Sequence, residues 1–175
     1  LADWQRAGLS RQETLLHGAG RLINYSDRQL VNFASNDYLG LGSDPQVAAI
    51  LAEEVARHGS SGRAARLCGA SSAIVRQAEE AYAAYFGYED CLFCSSGYQA
   101  GHGLLAGLLR PGDRILIDKG AHASLFDGLK LAGADFAPYR SAAQLERRLN
   151  AWPAHAVVTE TVFSMDGHRA ELALL

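Results

Sequence analysis

From Arg114 onward the sequence alternates between two periods, and that alternation limits the folds open to it. "RILID" (114–118), "DFAPY" (135–139) and "HAVVTETVF" (155–163) are short runs suited to strands. "ASLFDGLKLAG" (123–133) and "SAAQLERRLNA" (141–151) lie between them with apolar residues at helical spacing. A connection of that length does not close a hairpin; it carries the chain back across a sheet to start a parallel strand. The strands are continuous apolar runs rather than alternating ones, as expected when helices cover both faces. Upstream, "CLFCS" (91–95) reads as one more strand, "YQAGHGLLAGLL" (98–109) as a helix of small residues and "RPGD" (110–113) as a turn. The expected class is therefore α/β, with a mainly parallel sheet of about four strands flanked by helices.

The N-terminal part reads differently. "RLINY" and "QLVNF" flank "SDR", a turn signal, and predict a hairpin. "DPQVAAILAEEVARHG" (44–59) predicts a helix, with Asp44 as its cap, Pro45 in its first turn and Gly59 at its stop. A loop, "SSGRAARLCGASS" (60–72), leads to the helix "AIVRQAEEAYAAYFG" (73–87). We divide the chain into an N-terminal segment with the hairpin (1–44) and an incomplete α/β domain (45–175). "AELALL" reads as the start of another helix, which leaves a sheet edge uncovered. Together with a first residue that is Leu1 rather than methionine, this gives the expectation of a piece of a longer protein.

Charge and composition remove several classes of function. The net charge of −3 and pI near 6.1 give no footprint for nucleic acid or an anionic membrane. Apolar runs such as "GLLAGLL" are too short to span a bilayer, and no basic leader opens the sequence. Cys91 and Cys94 have metal or redox spacing, but no second pair matches them, and Leu92 and Phe93 between them favour a buried strand. A reducing, cytoplasmic location is the expectation.

In an open parallel sheet, ligands bind beyond the C-terminal strand ends. Three notable stretches follow predicted strands: "SSGYQ" after "CLFC", "KGAHAS" after "RILID" and "ETVFSMDGH" after "AVVT". In the first, small residues let backbone N–H groups approach an anion at a helix start, and a phosphate is the natural guest. The same residues would also serve a plain strand-to-helix turn. The segment has neither dinucleotide-binding nor Walker spacing. His122 fits a core residue, a helix cap or a flat ring against a planar ligand. Asp166-Gly167 fits a simple turn.

Taken together, "NFASNDYLGL" (32–41), "SSGYQA" (95–100), "HASLFDG" (122–128) and "VVTETVFSMDG" (157–167) resemble the α-oxoamine synthase family of pyridoxal-phosphate enzymes, in order and spacing. The resemblance covers most of the chain from Val31 onward. It implies the PLP-dependent transferase fold type I, with pyridoxal 5'-phosphate as cofactor. It implies that Ser96, Gly97 and Tyr98 hold the cofactor phosphate, partly through backbone N–H groups. His122 would stack on the pyridine ring, Ser164 would hydrogen-bond the phenolic oxygen, and Glu160 would place a supporting carboxylate beneath the cofactor. Asn36 would approach the substrate. The implied reaction is a decarboxylative condensation of an amino acid with an acyl-CoA or acyl-carrier-protein thioester. Alanine and a pimeloyl thioester, as in biotin synthesis, are the expected pair. Other amino acid and acyl pairs of the family, and a non-catalytic partner subunit, are the alternatives. A cytoplasmic homodimer, with neither nucleic acid nor membrane as partner, completes the expectation.

The sequence departs from the family pattern at several points. Its lysines are Lys119 and Lys130, and neither matches the cofactor lysine, which lies in a later motif. The partner of the pyridine nitrogen and the arginine for the substrate carboxylate also come later in the family. The loop 59–72 is less glycine-rich than the family's, and Gly101 stands where asparagine is frequent. Arg11 is a candidate for the distal end of the acyl chain, against the plainer reading of a surface arginine.

Overall fold

The computed structural model describes residues 2–10, 13–18, 20–69 and 72–174. Arg11 lies outside the described residues. The chain divides into two compact units, one ending at Ala73 and the other beginning at Ile74.

The first unit holds helix α1 (Ala2–Arg6), strands β1 (Leu22–Tyr25) and β2 (Arg28–Val31), and helix α2 (Pro45–His58). The strands pair antiparallel in the expected hairpin, Ile23 opposite Leu30 and Tyr25 opposite Arg28. Ser26, in the tight turn between them, takes a left-handed φ of 50°. Helix α2 starts and stops where its sequence signals lie. Asp44 Oδ1 accepts the Gln46 N–H at 2.7 Å, Pro45 occupies the first turn, and Gly59 leaves the helix at a φ of 84°.

The second unit is helix α3 (Ala73–Phe86, its first residue Ala73 excepted), α4 (Gly97–Leu108), strand β3 (Arg114–Asp118), α5 (Ala123–Ala132), β4 (Asp135–Tyr139), α6 (Ala142–Ala151) and β5 (Ala156–Val158). The sheet order is β4-β3-β5, and both pairings are parallel. Central β3 has Ile115, Leu116 and Ile117 at 0% exposure. Ile115 and Ile117 pack with Leu105 of α4 and Leu129 of α5. Leu116 packs on Leu145 of α6 and Tyr139 of β4. Successive side chains of a strand point to opposite faces, so one apolar run supplies both cores. Burying each such side chain stabilises the fold by about 1.5–3 kcal/mol.

Three sequence expectations need correction. Residues 91–94 form no strand, and the described sheet has fewer strands than expected. Both ladders of β3 are filled by β4 and β5, and the Phe93 N–H instead donates to Glu79 Oε1 at 2.8 Å. Cys91 is accordingly half-buried and Cys94 exposed, rather than both buried in a strand. The run 155–163 keeps only Ala156–Val158 as strand, because the chain then folds on itself: the Ala170 N–H donates to Thr161 O at 3.1 Å, and Val162 bridges Arg169. Of the tail "AELALL", Leu172–Leu174 form a short 3-10 turn, and Leu175 lies outside the described residues. No described helix is long and apolar enough to cross a membrane.

Candidate functional site

Helix α4 is started by Ser96, whose extended backbone (φ −157°, ψ 157°) turns the chain and whose Oγ accepts the Gln99 N–H at 3.1 Å. That bond and the Ala100 N–H to Ser96 O bond at 3.0 Å satisfy later donors. The N–H groups of Gly97 and Tyr98, the first of the helix, point out of its end as at any helix start. A Cβ at Gly97 would meet nothing within 4 Å, so the approach to these donors is open. The helix dipole adds partial positive charge there. This donor set fits a phosphate group.

His122 starts helix α5 in the same manner. The ring Nδ1 accepts the Ser124 N–H at 3.2 Å and lies 2.9 Å from Ser124 Oγ. The His122 N–H donates to the carboxylate of Glu160, which stands just past β5. The chain reaches His122 from β3 through a turn in which Asp118 Oδ1 accepts the Gly120 N–H at 2.8 Å.

The two helix starts meet at Tyr98. Its ring lies edge-on to His122, with centroids 5.8 Å apart and planes at 78°. Its hydroxyl donates to Asp127 Oδ2, and Lys130 Nζ donates to Asp127 Oδ1 at 2.9 Å. The Tyr98 hydroxyl, with Lys130 second, holds the Asp127 carboxyl below its ordinary value; the same bond pushes the Tyr98 phenol up. The helices themselves approach closely. A Cβ at Gly101 would lie 3.0 Å from Ser124 Oγ, and one at Gly128 would lie 3.0 Å from the His102 carbonyl oxygen. Gly101 thus has a packing reason to depart from asparagine.

Ser164 is exposed in a turn beyond β5. The turn is closed by the Gly167 N–H to Phe163 O at 3.0 Å and the His168 N–H to Asp166 Oδ1 at 2.9 Å. Its neighbour Phe163 is buried, with its ring 3.2 Å from the ideal Cβ position of Gly120. His122 therefore touches Tyr98 through its ring and Glu160 through its backbone N–H. Ser164 is anchored beside the His122 turn through Phe163, without a hydrogen bond to those three. Asn36 belongs to the first unit, where its Oδ1 accepts the Tyr38 hydroxyl at 3.4 Å. Lys119 is exposed, and its backbone N–H donates to Tyr139 O at 2.8 Å. Asp127 and Ser124 escaped the sequence reading. Their partners lie on another helix or at a ring nitrogen, and only the "HAS" and "FDG" wording around them hinted at more than a helix.

Residues 28–175 match the aminotransferase class I and II family. The chain belongs to this family. An 8-amino-7-oxononanoate synthase from Ectopseudomonas mendocina (strain ymp) is 39% identical over 179 residues, which is 100% of this chain and 46% of that protein. A serine palmitoyltransferase from Sphingomonas wittichii superposes with a TM-score of 0.86 at 28% identity, over 99% of this chain and 46% of that one. A serine palmitoyltransferase from S. paucimobilis, solved with a bound PLP–myriocin aldimine, superposes with a TM-score of 0.85 at 24% identity, over 99% of this chain and 46% of that one. The expected fold is thus borne out: this aminotransferase-family chain has the parallel sheet and flanking helices of PLP-dependent enzymes. The chain spans about half the length of the curated relatives it matches.

Proposed function

We propose that this chain is the cofactor-facing part of a PLP-dependent acyltransferase that condenses an amino acid with an acyl thioester and releases carbon dioxide. The observation that carries the reading is the meeting of two helix starts at Tyr98: free backbone donors on one side, an imidazole on the other. Family membership and the relatives named 8-amino-7-oxononanoate synthase support it, and they favour alanine and a pimeloyl thioester as the substrates. The cofactor is pyridoxal 5'-phosphate, which, when bound, supplies the electron sink that makes an amino acid α-proton removable.

The residues then have distinct tasks. The N–H groups of Gly97 and Tyr98, with Ser96 as the cap behind them, hold the phosphate. His122 lies flat on the ring, and Glu160 keeps its backbone in place. Ser164 donates to the phenolic oxygen, and Asn36 meets the substrate. Lys130 is committed to Asp127, and Lys119 follows β3 without matching a family anchor. In this reading the anchoring lysine comes from the further part of a longer protein, since this chain spans 46% of its relative's length. The working protein in this reading is a cytoplasmic homodimer.

Gly97→Pro tests the reading. Proline suits a first helical position, and the extended backbone of Ser96 tolerates it, so the helix survives while one donor is lost. In equilibrium dialysis against pyridoxal 5'-phosphate, the parent chain should bind weakly and reversibly, in competition with inorganic phosphate. Affinity should fall about fivefold or more in Gly97→Pro, because a bond to a charged acceptor is lost. Equal affinity in a folded Gly97→Pro chain would remove the phosphate site from Ser96–Tyr98.

A further inference from the structure

Tyr98 occupies an unusual position. Its backbone N–H is one of the donors at the start of α4, while its ring forms an edge contact with His122 on α5. The residue therefore touches both ends of the proposed site. Yet the residue is 43% exposed, and besides His122 its ring has only a tilted neighbour in His102 of its own helix, with centroids 6.4 Å apart, among the ring contacts of the described residues. Its restraint is a hydrogen bond to Asp127, one and a half turns along α5 from His122. Asp127 already has an ion-pair partner one turn away in Lys130. That pair neutralises a carboxylate which would otherwise repel a phosphate from the neighbouring helix start.

We propose that Asp127 is a positioning residue: its carboxylate ties the Tyr98 ring against the edge of His122 and so fixes the width of the slot between the α4 start and the imidazole. The inference rests on the cofactor reading above and names a residue that reading does not use. A slot of set width selects a flat ring carrying a phosphate over phosphate alone. Free phosphate needs only the backbone donors, whereas the ring needs His122 at the correct distance and tilt.

The experiment compares the parent chain with Asp127→Ala, Tyr98→Phe and the double variant. Each is titrated with pyridoxal 5'-phosphate and, separately, with inorganic phosphate. A ¹³C-tyrosine NMR titration, with Tyr98 assigned by its loss in Tyr98→Phe, reads the tether directly. Asp127→Ala should bring the Tyr98 phenol down toward the ordinary tyrosine range. Each single variant should lose about fivefold in pyridoxal 5'-phosphate affinity, and the double variant no more than either, because both remove one interaction. Inorganic phosphate affinity should stay within about twofold in every variant. Additive losses, a Tyr98 titration unmoved by Asp127→Ala, or equal losses for phosphate and cofactor would each overturn the positioning role. A parent chain that binds phosphate and not the cofactor overturns the cofactor reading and this role with it. An unmoved Tyr98 in a chain that does bind the cofactor overturns this role alone.

Discussion

Asp127 and Tyr98 titrate at opposite ends of the pH scale, and their bond links both to stability. The Asp127 carboxyl is lowered in the folded chain, chiefly by the Tyr98 hydroxyl. Its contribution is present above the ordinary carboxylate value, about 4, and is lost as pH falls through the lower folded value. The Tyr98 phenol is raised, chiefly by Asp127. Its contribution is present below about 10 and is lost as pH rises through the higher folded value. Both groups are open to solvent, so the effect is small, as for other exposed pairs. Urea midpoints of the parent and Asp127→Asn should differ most between about pH 5 and 9 and converge at both extremes. A difference that grows on acidification would contradict the pairing. None of this was legible in the sequence, because the partners are 29 residues apart and each reads locally as an ordinary helix residue.

At the scale of elements, the α4 and α5 pair is held close by residues that lack side chains. At Gly128 a methyl group would lie 3.0 Å from both the His102 carbonyl oxygen and Leu105 Cβ. The first of these is backbone and cannot step aside. Gly128→Ala should therefore destabilise the fold by about 1–3 kcal/mol, despite the better helix propensity of alanine. A denaturant melt with an unchanged slope and a lower midpoint is the expected result; a raised midpoint would show that the helices have room to part. Elements were legible where their signals are local. Asp44 caps its helix at the expected residue, and Gly59 ends it at positive φ. "CLFC" was misread because a strand is defined by a partner, and strand composition does not provide one. Its backbone went to the buried Glu79 carboxylate, a choice no short window reveals.

For the whole molecule, the balance between buried and exposed apolar surface is uneven. In the second unit Tyr85 is 84% exposed, Tyr88 73%, Leu92 67% and Phe86 62%. In the first unit, Phe33 is 93% and Tyr38 87% exposed. Tyr85 and Phe86 meet ring to ring, with centroids 4.9 Å apart, and contiguous apolar exposure is a mark of surfaces that meet other protein. In the proposed reading those surfaces belong against the rest of a longer enzyme and its second subunit. Expressed by itself, the chain should light up ANS in native buffer and sediment as associated species. A monomer that leaves the dye dark would mean that these side chains find cover within the chain. The α/β class and the crossover order were legible from the alternating periods, since each strand and helix there is short and regular. How much of the surface stays open was not, because exposure depends on what packs from outside a given window.

The bond from the His122 N–H to Glu160 has a consequence for the order of folding. His122 follows β3, whereas Glu160 arrives with β5, whose pairing joins Ile115 to Ala156. Helix α5, β4 and α6 all lie between donor and acceptor along the chain. Closing so long a stretch is a late and costly event compared with capping a helix. The imidazole is thus held by Ser124 of its own helix, while the backbone N–H behind it is held by a residue just past β5. A nascent chain that has emerged only as far as α6 lacks Glu160 altogether, so the His122 N–H gains its acceptor only once the residues after β5 are synthesised.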